Sequence, residues 1–117
     1  MLKWIHKKEK ADYSSIEVFQ LENLINNQIP FLFFNLSPHF LVKDYGNFVS
    51  SVLKLSQAVT EQDVKKKLEN TDKSKPIILI CEKGSQSCSL AQHLQKKGFI
   101  NTFFIKDGIM SLIEEKK

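Results

Sequence analysis

The sequence predicts an α/β protein of three layers, with a mainly parallel central sheet and helices on both faces. Short apolar runs with the character of buried strands, PFLFFNL, PIILIC and TFFIK, begin at Pro30, Pro76 and Thr102. Stretches with helical spacing of apolar residues lie between them. Strands that alternate with helices form βαβ units, which make neighbouring strands parallel. A chain of 117 residues is the size of one domain, so we expect residues 1–117 to share one core.

The first half of the chain is expected to hold a helix, a strand and a second helix. Apolar residues recur at helical spacing from Ile16 to Asn27. The aromatic run Pro30–Leu36 is too short for a buried helix and indicates a central strand whose phenylalanines pack in the core. A turn at residues 43–46 and a brief strand at VLKL, residues 52–55, are expected next. A helix is then predicted from Thr60 to Glu69, because a threonine oxygen can accept the amide protons of a helix start.

The second half is expected to run strand, loop, helix and strand. The strand PIILIC ends at Cys81, and a polar loop follows it. Ser87 is placed to cap the next helix, and Gly98 is placed to end it. Three apolar residues make the inward face of that helix: Leu90, Ala91 and Leu94. The strand TFFIK, Thr102–Lys106, completes the pattern.

Composition and charge exclude several classes of partner. No apolar run approaches the roughly 18 residues that a membrane span requires, so no membrane partner is expected. The formal net charge is +4, and all 17 basic residues are lysines. The lysine cluster 65–67 lacks interleaved exposed aromatic residues, which predicts a solvated helix face and no nucleic-acid partner.

The ends of the sequence and its cysteines bear on location. The basic cluster from His6 to Lys10 interrupts the apolar start, so no secretion signal is expected, and residues 1–12 are interpreted as a basic N-terminal arm. The two cysteines suit a reducing compartment better than a disulfide framework. We therefore expect a cytoplasmic protein.

Cys81 is the candidate nucleophile. In an open parallel sheet, ligands bind beyond the carboxyl ends of the strands, and Cys81 lies at such an end. A loop containing Gly84 can turn its backbone amides inward toward an anion, and the following helix start adds partial positive charge. Lys83 adds a full positive charge, and these surroundings together favour the thiolate over the thiol. The alternative from the residues alone is a buried cysteine that packs as a small apolar side chain.

The segment CEKGSQSCSLAQHLQKKGFINTFFIKDGI, which begins at Cys81, resembles the signature of rhodanese-like domains, a family of sulfurtransferases. The family pattern is Cys, two residues, Gly, one residue, Arg and Ser, followed by an alanine-bearing helix that ends in leucine, three residues and Gly-Phe. Eight residues fall in register with the family: Cys81, Gly84, Ser87, Ala91, Leu94, Gly98, Phe99 and Gly108.

The resemblance implies a three-layer α/β domain in which Cys81 takes sulfane sulfur from a donor, holds it as a persulfide and passes it to a thiophilic acceptor. The donor would be thiosulfate, a polysulfide or a persulfide, and the resemblance also implies a sulfur-relay protein as a partner. The substrate-binding loop would consist of Glu82, Lys83, Gly84, Ser85, Gln86 and Ser87, with the loop amides holding the anionic sulfur. Glu82 opposes the attraction of Lys83 for an anion.

Several positions depart from the family pattern. The usual Asp-x-Arg after the first central strand is replaced by Asn35 and Ser37, and the loop arginine by Gln86. Asp107 stands for the first glycine of a Gly-Gly pair, and Leu112 for a tryptophan. The alternative function is therefore a rhodanese-like binding or regulatory module with weak catalysis.

The sequence of the loop argues against a cysteine-dependent phosphatase. Cysteine-dependent phosphatases need an arginine six residues after the cysteine to bind phosphate oxygens, but that position is Ser87 and the chain contains no arginine.

Cys88 is interpreted as a bystander, with a resolving thiol as the alternative. The three histidines are scattered without metal-ligand spacing, so no metal is expected, and no nucleotide-binding glycine pattern is present. No cofactor is expected.

Overall fold

A computed structural model of the protein describes residues 14–37 and 46–115. The described chain forms a five-stranded sheet in the order β1-β5-β4-β2-β3, and every neighbouring pair is parallel. The strands are β1 (Ser15–Ile16), β2 (Leu32–Asn35), β3 (Gln57–Ala58), β4 (Ile77–Ile80) and β5 (Thr102–Ile105). The helices are α1 (Val18–Asn26), α2 (Asn47–Lys54), α3 (Glu61–Lys67), α4 (Ser85–Lys96) and α5 (Gly108–Glu115).

The sheet separates two apolar layers, because successive side chains of a strand point to opposite faces. Ile78 and Ile80 of β4 pack with residues of α1, α2 and α5 on one face. Ile77 and Leu79 pack with residues of α3 and α4 on the other. All four isoleucine and leucine side chains of β4 are at most 1% exposed, as expected for a strand covered on both faces. The predicted three-layer α/β fold with a parallel sheet is confirmed.

The expected strand at residues 52–55 is wrong. These residues lie at the end of α2, and Leu55 follows its last residue. The buried positions Val49, Val52 and Leu53 have the i, i+3, i+4 spacing of one helix face, which packs toward the sheet. The strand in this region is instead the two-residue β3, next to β2 at the sheet edge. Residues 43–45 of the expected turn lie outside the described residues, and Gly46 precedes α2.

The helix predicted from Ile16 begins later. Ile16 belongs to β1, a two-residue edge strand that the sequence interpretation missed, and α1 begins at Val18. The helix predicted from Thr60 is confirmed, with a reciprocal cap: Asp63 N–H donates to Thr60 Oγ1 and Thr60 N–H donates to Asp63 Oδ2. This arrangement satisfies two amides at the helix start.

The second half follows the expected order, with two corrections. β4 ends at Ile80, so Cys81 is the first residue after the strand and not its last. The residue that precedes α4 is Gly84, and Ser87 is the third residue of that helix and not its cap. Gly84 has a left-handed backbone, with φ of +98°, which turns the chain into the helix three residues earlier than expected. None of the helices in the described part of the chain is long and apolar enough to span a membrane.

Candidate functional site

The site lies at the carboxyl end of β4, the middle strand of the sheet. Cys81 follows this strand directly and is 2% exposed. Its side chain belongs to the apolar cluster on the face covered by α3 and α4. The position agrees with the rule that parallel sheets place their sites beyond the carboxyl ends of strands.

Backbone amides converge on the sulfur of Cys81. The N–H of Gly84 donates to Sγ at 3.2 Å, and the N–H of Ser87 donates to it at 3.3 Å. Ser87 lies in the first turn of α4, where amides have no partner within the helix and carry partial positive charge. Two amide donors on one buried sulfur stabilise a negative charge there.

The hydroxyl of Ser87 also reaches the sulfur. Its Oγ lies 3.4 Å from Cys81 Sγ and 3.2 Å from the carbonyl oxygen of Gly84, to which it donates. A hydroxyl has only one proton, so it cannot donate to both partners at once. A neutral thiol can donate to Oγ while Ser87 donates to Gly84; a thiolate would draw the hydroxyl proton toward itself. Ser87 is fully buried, so water does not compete for either hydrogen bond of its hydroxyl.

The loop packs against the start of α5, backbone to backbone. A Cβ at Gly84 would lie 3.0 Å from the amide nitrogen of Asp107. A Cβ at Gly108 would overlap the carbonyl oxygen of Cys81 and lie 2.7 Å from that of Glu82. Asp107 and Gly108 both have left-handed backbones, with φ of +62° and +63°. This explains why a Gly-Gly pair suits these positions, and Asp107 is among the few non-glycine residue types that tolerate this region.

Glu82 is held from two sides. Its N–H donates to Ser37 Oγ at 2.9 Å, across from the end of β2. Its carbonyl oxygen accepts from the N–H of Met110 at 3.1 Å, and the carbonyl oxygen of Cys81 accepts from the N–H of Ile109 at 2.8 Å. The amide of Glu82 is therefore directed to Ser37, whereas the amides of Gly84 and Ser87 are directed to the sulfur.

The other expected loop residues form the rim of the site. Lys83, Ser85 and Gln86 are exposed, and Glu82 is half-buried. Within the described residues, the hydrogen bonds to the sulfur come from Gly84 and Ser87 alone among the six predicted binding residues.

Cys88 lies beside the site in α4. It is half-buried and packs against the apolar cluster that contains Cys81. Its N–H donates to the carbonyl oxygen of Gly84, as in a regular helix start. Both cysteines are free thiols.

The sequence interpretation missed the way in which Asn35 and Ser37 contribute. The sequence shows them only as departures from a charged pattern, yet both are buried at the end of β2, and Ser37 accepts the Glu82 amide. A signal was present, since small polar residues that directly follow a buried central strand lie at the sheet edge where sites form. Among residues 14–37 and 46–115, no group of three His, Cys, Asp or Glu side chains is placed to hold a metal ion, and His6 and His39 lie outside these residues.

Comparison with known proteins shows the family to which the chain belongs. A profile of the Rhodanese-like domain matches residues 47–115. A rhodanese-related protein from Thermoplasma volcanium has a similar structure, at 23% identity and a TM-score of 0.60, over 88% of this chain and 93% of that one. A rhodanese homologue from the extremely thermophilic bacterium Thermus thermophilus matches at 18% identity and a TM-score of 0.56, over 83% and 98%.

A third similar structure is part of a larger protein. The NAD-dependent persulfide reductase from A. fulgidus matches at 15% identity and a TM-score of 0.53, over 85% of this chain but 15% of that one. No curated protein matches the sequence. At these identities the structural matches support the fold, and the family profile covers more than half of the chain. The chain belongs to the rhodanese-like domain family.

Proposed function

We propose that the protein is a sulfurtransferase that carries sulfane sulfur on Cys81. The observation that carries the proposal is the convergence of two backbone amides and one hydroxyl on the Cys81 sulfur, at the carboxyl end of the central strand. A cysteine that served only as a small apolar side chain would not need three polar groups around its sulfur. Because the chain belongs to the rhodanese-like domain family, whose members resemble sulfurtransferases, sulfur is the atom that we expect Cys81 to transfer.

The reaction has two displacement steps. The Cys81 thiolate attacks the outer sulfur of a donor, an Sγ–S bond forms, and the S–S bond of the donor breaks. The electron pair leaves with the donor remnant, which is sulfite from thiosulfate or a thiolate from a persulfide. A thiophilic acceptor then attacks the outer sulfur of the Cys81 persulfide, and the electron pair of the Sγ–S bond returns to Cys81. The steps need no metal, no cofactor and no external oxidant or reductant.

The loop suits a persulfide because its terminal sulfur carries negative charge. The amides of Gly84 and Ser87 are held at the helix start, where the helix dipole contributes partial positive charge. At the rim, Lys83 would attract an anionic donor and Glu82 would oppose it. The proposed donors are thiosulfate, polysulfides and thiol-bound persulfides, and the proposed partner is a sulfur-relay protein.

A second candidate is a rhodanese-like binding or regulatory module with weak catalysis. The observation that favours it is the low exposure of Cys81, at 2%, together with the neutral residues Asn35, Ser37 and Gln86 at three positions that usually carry charge in the family. Thiol reactivity separates the candidates, since a thiolate alkylates rapidly near neutral pH and a packed thiol does not.

Intact mass measures the first half-reaction directly. The reduced protein is incubated with thiosulfate or with a polysulfide, and its mass is compared before and after cyanide. We expect a gain of one sulfur atom that cyanide removes, that is lost in Cys81→Ser and that is kept in the matched control Cys88→Ser. Sulfur uptake by Cys81→Ser, or no uptake from either donor combined with slow alkylation of Cys81, would overturn the proposal and favour the binding module.

A further inference from the structure

The side chain of Ser37, just beyond β2, contacts the loop that follows Cys81. Ser37 lies two residues beyond the end of β2 and is 5% exposed. Its Oγ accepts the N–H of Glu82 at 2.9 Å, a contact between residues that are 45 positions apart. The bond places a hydroxyl acceptor beside the residue that follows Cys81.

Asn35 holds Ser37 in place. The Oδ1 of Asn35 accepts the N–H of Ser37 at 2.8 Å, which is a side-chain-to-backbone turn of the kind asparagine forms at strand ends. Asn35 is fully buried and is paired with Ile80 in the β2–β4 register, one residue before Cys81. The N–H of Leu36 donates to the carbonyl oxygen of Ile80, which continues the strand pairing to the edge of the loop.

The opposite side of the loop is held by α5. The carbonyl oxygens of Cys81 and Glu82 accept the amides of Ile109 and Met110. Glu82 therefore has its N–H bound toward β2 and its carbonyl bound toward α5. The peptide that leaves Cys81 is fixed between two elements, and its N–H is kept away from the sulfur.

We propose that Ser37 is a positioning residue, which holds the loop so that the amides of Gly84 and Ser87, and not that of Glu82, face the Cys81 sulfur. The hydroxyl acts through the peptide of Glu82 and does not touch the sulfur. The proposal rests on the proposed function in that Cys81 is the reactive group. It assigns a role to a neutral side chain at a position where the family usually has arginine.

Alkylation of Cys81 across a range of pH tests this without requiring sulfur transfer. Loss of one aligned amide contact should slow alkylation of Ser37→Ala near neutral pH by about tenfold, since a hydrogen bond to a charged group is worth roughly this factor. The curve of Cys81 alkylation rate against pH should also move to higher pH in Ser37→Ala. Ser37→Thr, which keeps the hydroxyl, should return the curve to that of the unchanged protein. Ser56→Ala is the matched control, because Ser56 is half-buried and its hydroxyl donates to the Leu53 carbonyl of its own segment.

The outcomes separate this proposal from the proposed function. A folded Ser37→Ala protein with the profile of the unchanged protein would overturn the positioning role, whether or not Cys81 takes up sulfur. If Ser37→Ala does not fold, hydrogen exchange of the unchanged protein decides: we expect the Glu82 amide to exchange slowly, and free exchange would refute the bond to Ser37. Failure of sulfur uptake together with a shifted Ser37→Ala profile would overturn only the proposed function.

Discussion

Replacement of Gly108 by alanine tests whether the start of α5 holds the Cys81 loop. A Cβ at this position would overlap the carbonyl oxygen of Cys81 and lie 2.7 Å from that of Glu82. Both are rigid backbone atoms, so α5 and the loop must separate. The separation would break the bonds from Ile109 N–H to Cys81 and from Met110 N–H to Glu82, at 2.8 Å and 3.1 Å.

The expected cost follows from these contacts. Each of the two backbone hydrogen bonds contributes about 1 kcal/mol, and an alanine in the left-handed region adds about 1 kcal/mol of strain. We therefore expect Gly108→Ala to lower the free energy of unfolding by about 3 kcal/mol, which is a large share of the stability of a small domain. The displaced loop should also slow alkylation of Cys81 near neutral pH.

Gly46→Ala is the matched control for Gly108→Ala. Gly46 has φ of +105°, so alanine is strained there too, but among the described residues no atom outside its chain neighbours lies within 4 Å of its Cβ position. Urea unfolding of both variants separates backbone strain from the contact with the loop. An equal loss of stability in the two variants, with unchanged alkylation of Cys81 in Gly108→Ala, would refute the reasoning.

Three further predictions concern single side chains. Ser87→Ala should slow Cys81 alkylation near neutral pH by about fivefold, because the sulfur loses a hydroxyl donor, and an unchanged rate would mean that this hydroxyl serves only Gly84. Cys88→Ser should leave the lifetime of the Cys81 persulfide unchanged by mass spectrometry, and a changed lifetime would make Cys88 a resolving thiol. The backbone N–H and hydroxyl of Ser74 hold the pKa of Asp72 below its ordinary value of 3.8. The ionised Asp72 therefore stabilises the fold at pH values above 3.8, and this stabilisation is lost as the pH falls through the lower pKa of the folded state. In urea unfolding, Asp72→Asn should be less stable than the unchanged protein at neutral pH. The difference in unfolding free energy between the two proteins should vanish in acid.

The central strands and the helix after the loop were predictable from the sequence, for physical reasons that are local. Ile77, Ile78, Leu79 and Ile80 form a short run without polar residues, which is typical of a strand covered on both faces. The inward spacing of Leu90, Ala91 and Leu94 on α4 is likewise a property of the helix alone. The same pattern predicts Cys81 at the carboxyl end of this strand, although the strand itself ends one residue earlier, at Ile80.

Short edge elements were less predictable. β1 and β3 have two residues each and pair only at the sheet edges, so their strand structure comes from neighbours that are distant in sequence. The VLKL segment has apolar residues that fit either a strand or a helix, and packing of Val52 and Leu53 against the sheet and α5 decides for the helix. The sequence predicts the start of α4 at Ser87, because serine side chains commonly cap helices. The helix instead begins after Gly84, whose left-handed φ angle is not visible in the sequence pattern.

The sequence by itself determined the parallel α/β fold, the candidate cysteine and the glycine-containing loop, because these depend on hydrophobic pattern and on residues that adjoin Cys81. Only the tertiary structure decided which amides face the sulfur and which side chain holds the loop. Ser37 and Gly108 lie far from Cys81 in sequence, and the parallel crossovers bring both against its loop. A hydrogen bond across 45 residues follows from chain packing and has no signature in either segment alone. Gly108 matches the family pattern in the sequence, but the close approach of the Cys81 carbonyl that requires a glycine there is visible only in the folded chain.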